Sequence, residues 1–80
     1  MVDVKLPQLG ASMTDADIVE WLKRPGDRVR VDDELVRIES IKATDVVTAP
    51  VAGRLAEILA PAGETVKVGA VLARIDETDR

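Results

Sequence analysis

Glu39-Ser40-Ile41-Lys42-Ala43-Thr44-Asp45-Val46-Val47-Thr48-Ala49-Pro50 reads as one strand arriving, a reversal centred on Lys42, and one strand leaving. On the arriving side Leu35-Val36-Arg37-Ile38 is apolar and partly β-branched, while on the leaving side Val46-Val47-Thr48 is strongly β-prone and Pro50 closes the run. No Asn-Gly or Asp-Gly pair marks the turn, so the reversal follows from the strands that flank it. Lys42 is thereby expected at the exposed tip of a hairpin, where something can be attached to it.

Outward from this hairpin the chain is a succession of short strands. Val2-Asp3-Val4-Lys5-Leu6 alternates apolar and charged residues and is stopped by Pro7, after which Gln8-Leu9-Gly10-Ala11-Ser12 is a loop. Asp17 to Lys23 reads as the next strand, ended by the turn signal Pro25-Gly26-Asp27. Arg28-Val29-Arg30-Val31 alternates again, Asp32-Asp33 break the run, and Glu34 to Glu39 lead into the reversal. Turn signals recur too often to leave a stretch long enough for a helix.

The chain also repeats itself. Shifted by 37 residues, Ile18–Glu39 falls on Leu55–Asp76, pairing Glu20 with Glu57, Leu22 with Leu59, Gly26 with Gly63, Val29 with Val66, Leu35 with Leu72, Arg37 with Arg74 and Ile38 with Ile75. Turn glycines and apolar periodicity are kept together, which marks two copies of one strand-turn-strand unit, approximately 18–39 and 55–76. Two copies are too few for a solenoid. Packed on each other, they predict an all-β sandwich or flattened barrel with approximate two-fold symmetry. The first copy runs on through Lys42 into another strand, whereas the second ends at the chain terminus, so Lys42 is expected at one end and the termini at the other. That is the geometry of a tethered carrier, whose arm gains effective concentration at several active sites.

Composition narrows the chemistry. Eighty residues make a single domain that buries roughly 60–65% of its unfolded surface, a thin core without a deep catalytic cleft. Trp21 is the only aromatic residue, and there is neither cysteine nor histidine, which excludes thiol catalysis, disulfides and ordinary zinc sites. A net charge of −4, with bases interleaved among acids, argues against nucleic-acid binding. No apolar run reaches the length of a membrane span, and Met1-Val2-Asp3-Val4-Lys5 lacks the regions of a signal peptide, so the chain reads as soluble and unexported.

Leu6-Pro7-Gln8-Leu9-Gly10, Met13-Thr14, Ile18 to Lys23, Gly26-Asp27, Glu39 through Ala43, Ala49-Pro50 and Gly53 together resemble the lipoyl domain of the dihydrolipoyl acyltransferases of 2-oxo acid dehydrogenase complexes. The resemblance covers nearly the whole chain. It implies a flattened eight-stranded β-barrel or sandwich of two four-stranded sheets, with lipoic acid joined covalently to the lysine at the hairpin tip, here Lys42. Glu39, Ser40, Ile41 and Ala43 would form the recognition surface around it. The related biotinyl domains share the later part of the pattern but do not usually show the opening Leu-Pro-x-Leu-Gly stretch, which ranks biotin second. One position departs from the family: an acidic residue usually precedes the modified lysine, and this chain has Ile41. That difference bears on recognition by the decarboxylase and by the lipoylating enzyme.

The implied partners are a lipoate ligase or lipoyl transferase, a thiamine-diphosphate 2-oxo acid decarboxylase, an acyltransferase core and dihydrolipoyl dehydrogenase. The expected compartment is the bacterial cytoplasm, or the mitochondrial matrix in a eukaryote. An exposed lysine is protonated at neutral pH and must lose its proton within the attaching enzyme before it forms the amide. The cofactor then carries the reaction and the chain contributes placement, with no catalytic residue of its own.

The remaining candidates have plainer readings. Lys5, Lys23 and Lys67 are surface charges. Asp32-Asp33-Glu34 lacks the glycine and ligand spacing of a calcium loop and reads as a solvated turn. Glu39 and Asp45 either orient the hairpin for an enzyme or keep this end soluble. Trp21 is expected in the core or half-buried, and Gly26, Gly53 and Gly63 at turns or close strand approaches. Besides a lipoyl or a biotinyl carrier, an unmodified structural module remains open.

Overall fold

The computed structural model describes residues 1–41 and 43–77. Its strands are β1 (Val2–Lys5), β2 (Asp15–Trp21), β3 (Arg28–Val29), β4 (Glu34–Glu39), β5 (Thr44–Thr48), β6 (Gly53–Ile58), β7 (Thr65–Lys67) and β8 (Val71–Asp76). They form two antiparallel four-stranded sheets, ordered β1-β8-β6-β3 and β5-β4-β2-β7. No ladder joins the two sheets among the described residues, so the expected barrel or sandwich takes the sandwich form, flattened to extents of 38 × 22 × 17 Å.

Strand limits differ from the sequence reading where turns compete with propensity. The second strand begins two residues early, at Asp15, because β7 pairs with it there: Asp15 opposes Lys67 and Asp17 opposes Thr65. The third stops at Val29 because the chain turns at once: the Asp33 amide donates to the Arg30 carbonyl at 3.0 Å, and the Arg30 amide donates to Asp33 Oδ2 at 2.8 Å. Between them Asp32 takes a φ of 72°, a left-handed conformation unusual for a residue with a Cβ.

The two copies interlock. Ile18 opposes Ile38, Glu20 opposes Arg37 and Trp21 opposes Val36; 37 residues on, Leu55 opposes Ile75, Glu57 opposes Arg74 and Ile58 opposes Ala73. Even the bulges correspond, one between Ile18 and Glu20 and the other between Leu55 and Glu57. Each short strand crosses to the other copy: β3 pairs with β6, and β7 pairs with β2. The turns follow suit, since the Gly26 amide donates to the Leu55 carbonyl at 2.7 Å and the Gly63 amide to the Ile18 carbonyl at 2.8 Å.

Side chains from both copies meet between the sheets. Ile18, Leu35, Ile38, Leu55, Leu72 and Ile75 are at most 2% exposed, and each fully buried Leu or Ile contributes about 1.5–3 kcal/mol. Every buried side chain of the described residues is aliphatic. Leu35 and Val36 are both buried, which strict alternation forbids; the β4–β5 ladder slips between Glu34 and Val36 and so turns both inward. Trp21 is half-buried, and its Nε1–H donates to the Ala60 carbonyl at 2.7 Å.

The paths of β1 and β5 separate the molecule into two poles. Val2 lies beside Ile75, and β1 runs from there to Lys5 beside Val71, after which residues 6–14 lead to the start of β2, where Asp17 opposes Glu39. In the return direction β5 runs from Thr44, beside Glu39, towards Gly53, whose backbone closely approaches Asp76. The β4–β5 hairpin thus stands at the pole remote from Val2 and Asp76.

Candidate functional site at the hairpin tip

The β4–β5 ladder carries Arg37 opposite Val46, Ile38 opposite Asp45 and Glu39 opposite Thr44. It is closed by Ser40, whose amide donates to the Ala43 carbonyl at 2.8 Å and whose hydroxyl donates to the same oxygen at 3.1 Å. The Ser40 hydroxyl thus reinforces the backbone bond that closes the reversal, a support additional to turn-residue preference. Only positions 41 and 42 lie between these two residues. Ile41 is 100% exposed and Ala43 is exposed. Lys42, the expected attachment residue, lies outside the described residues.

Glu39 and Asp45 are exposed on either side of the tip, and Asp45 Oδ1 accepts the Val46 amide at 2.9 Å. The side chains lining the grooves beside the tip include Asp15, Asp17, Glu39 and Asp45 and, among the described residues, no lysine or arginine. Away from the tip, Asp33 Oδ2 accepts the Arg30 amide at 2.8 Å within its turn.

Sequence reasoning did not bring the segment after β1 to this site. Residues 9–15 pass alongside the hairpin and enclose with it a groove of about 220 Å³, walled by Leu9, Met13, Ile38, Ile41 and Ala43. Met13 packs against the core, Ile38 forms the buried floor, and Leu9 is 45% exposed at the mouth. The wall is held by its own hydrogen bonds. Gln8 Nε2 donates to the carbonyls of Ala11 and Met13, both at 3.3 Å, and the Met13 amide donates to the Gly10 carbonyl at 3.1 Å. The available signal was the β2–β4 register, which places Asp17 beside Glu39 and so brings the preceding loop to the tip.

The biotin–lipoyl family model, described as biotin-requiring enzyme, matches residues 2–75. The chain belongs to the biotin–lipoyl family. Within it, this biotin–lipoyl chain is 46% identical over 77 residues to the dihydrolipoyllysine-residue acetyltransferase component of the pyruvate dehydrogenase complex of Corynebacterium glutamicum, covering 96% of this chain and 11% of that protein. It is 42% identical over 74 residues to the dihydrolipoyllysine-residue succinyltransferase component of the 2-oxoglutarate dehydrogenase complex of Bartonella vinsonii, covering 92% of this chain and 18% of that protein. The chain therefore spans less than a fifth of either relative. The solution structure of the lipoyl domain of the Azotobacter vinelandii 2-oxoglutarate dehydrogenase complex superposes with a TM-score of 0.76 at 35% identity, covering 96% of this chain and 98% of that one. The all-β sandwich expected from the repeat, and the two four-stranded sheets that the resemblance implies, are the fold found.

Proposed function

We propose that residues 1–80 are one carrier domain in which Lys42 is lipoylated, serving the acyltransferase component of a 2-oxo acid dehydrogenase complex. The observation that supports this best is the closed hairpin: Ser40 and Ala43 pin the reversal while Ile41, the neighbour of Lys42, is wholly exposed. A covalently attached group needs such a site, fixed at its base and open above. The residues present suit lipoic acid, because the groove walled by Leu9, Met13 and Ile38 offers apolar surface next to the attachment position. When bound, lipoic acid would supply a disulfide that accepts an acyl group and reducing equivalents. The chain's own part is mechanical: the β4–β5 ladder carries the reversal to which residue 42 belongs, and Glu39, Ser40, Ile41 and Ala43 present the surface that attaching and partner enzymes read.

The partners that follow are a lipoate ligase or lipoyl transferase, a thiamine-diphosphate decarboxylase, the acyltransferase core and dihydrolipoyl dehydrogenase. The two relatives named above transfer different acyl groups, so the carrier reading is independent of which 2-oxo acid is oxidised. The bacterial cytoplasm is the compartment we infer from those relatives. Expression with a lipoate ligase and, separately, with a biotin ligase tests the reading by intact mass. The expected result is a lipoyl increment that disappears in Lys42→Arg while the circular dichroism is unchanged. A biotinyl increment alone would favour the carboxylase type of carrier, and a lipoyl increment that persists in Lys42→Arg would overturn the site.

A further inference from the structure

We propose that the edge formed by β3 and the start of β6 binds an acidic, extended segment of a partner protein, at the pole remote from the hairpin. The duplication supplies an internal reference for this surface. Under the 37-residue shift, β3 on β6 corresponds to β7 on β2, and both short strands lie at the edge of their sheet. At the β7 edge charges are matched: Lys67 opposes Asp15, and Thr65 opposes Asp17, its hydroxyl donating to Asp17 Oδ1 at 2.6 Å. At the β3 edge Arg28 stands for Thr65, Arg30 for Lys67, Arg54 for Asp17 and Ala52 for Asp15. Arg28 then directly opposes Arg54, a like-charge cross-strand pair that costs stability.

The fold leaves two of these charges over. Arg54 Nη1 donates to the Gly26 carbonyl at 2.9 Å and Arg54 opposes Asp76 on its other side, so it is held in place. Arg28 and Arg30 are exposed, and neither guanidinium has an ion-pair or hydrogen-bond partner among the described residues. The acids nearest in sequence are turned to the backbone instead: Asp27 Oδ2 accepts the Arg24 amide at 2.9 Å, and Asp33 Oδ2 the Arg30 amide. Charges on an edge strand also guard against strand pairing between molecules, but the β7 edge does without a like-charge pair, so guarding does not account for Arg28 opposite Arg54.

Spacing and charge define the occupant. Arg28 and Arg30 flank the buried Val29, so both face outward, about 6.6 Å apart along an extended backbone. A segment with Asp or Glu at every second position therefore sets a carboxylate against each guanidinium fork, with Arg54 about 5 Å from Arg28 across the ladder. Nucleic acid fits less well, because its long run of phosphates is repelled by a chain of net charge −4, whereas a short acidic segment meets only this edge. Arg54 lies beside Asp76, at the far end from the hairpin, so a partner held here leaves Ile41 and its neighbours accessible.

The unmodified chain tests this, since the surface does not involve Lys42. Titration with a synthetic alternating Glu-Thr peptide should shift the backbone amide resonances of Arg28, Val29, Arg30 and Arg54 saturably, leave those of residues 39–41 unmoved, and weaken as salt is raised. Arg28→Gln combined with Arg30→Gln should lower the affinity roughly tenfold or more, while the urea midpoint stays the same or rises because a repulsive pair is removed. Lys67→Gln, at the equivalent place on the matched edge, should leave the affinity unchanged. The proposal is overturned by the absence of a saturable shift at β3, by unchanged affinity in the double variant, or by an equal loss in Lys67→Gln. Equal binding of a peptide with the same glutamates in one block, or tighter binding of a single-stranded DNA oligonucleotide, would overturn it too. Any of these results leaves the carrier reading, which rests on the tip, in place.

Discussion

Gly53 shows how one backbone position joins the copies. A Cβ built there would lie 2.5 Å from the Asp76 carbonyl oxygen and 2.9 Å from the Glu77 Cα, and backbone cannot yield as a flexible side chain would. Gly53→Ala is therefore expected to lower stability by about 1–3 kcal/mol, seen as a lower urea midpoint with an unchanged slope. The sequence reading identified Gly53 as a turn or close-approach glycine but held no information on what approaches it, because Asp76 is distant along the chain. Asp32 teaches the converse. Its counterpart under the 37-residue shift is Gly69, also at positive φ, 91°. The strained conformation belongs to the position in the repeat, and only the second copy places a glycine there.

At the scale of the strand, equivalence becomes measurable. Leu35 in β4 and Leu72 in β8 are both 0% exposed, and the Leu22 and Leu59 amides donate to their carbonyls at 2.8 Å each. Leu35→Ala and Leu72→Ala should each cost about 2–5 kcal/mol, with closely similar values in chemical denaturation, since each leaves the same cavity in the same setting. By contrast, the Arg37–Glu20 pair at 2.7 Å and the Arg74–Glu57 pair at 3.2 Å repeat the same cross-strand geometry but are roughly half exposed, and each is worth under about 1 kcal/mol. Core leucines and turn glycines were legible because they recur at a fixed spacing. The hairpin tip was legible from its flanking strands, whereas the Ser40 closure was not, since a serine before a reversal has no unique meaning until its hydroxyl is seen on the Ala43 carbonyl. The groove formed by Leu9 and Met13 was hidden for a different reason: the loop carrying them reaches the tip only through the pairing of β2 with β4, a contact between segments far apart in sequence.

The whole molecule is expected to unfold as one unit. With β3 held in the sheet of β6 and β7 in the sheet of β2, neither copy has a complete sheet of its own. Thermal melts followed by Trp21 fluorescence, which reports one sheet, and by far-ultraviolet circular dichroism, which reports both, should coincide; separated midpoints would mean that the copies are independent. Two-fold similarity also explains why the fold was readable, since the duplicated unit accounts for the sandwich, and the hairpin after β4, which departs from the duplication, singles out the tip.

Because β1 and β5 each cross from one pole to the other, any leash fastened near Val2 or Asp76 would grip the body at its heel, with the hairpin tip at the toe. On the proposed attachment, the stiff sandwich would act as a boom, adding roughly the 20 Å of a strand's length to the reach of anything joined at the tip.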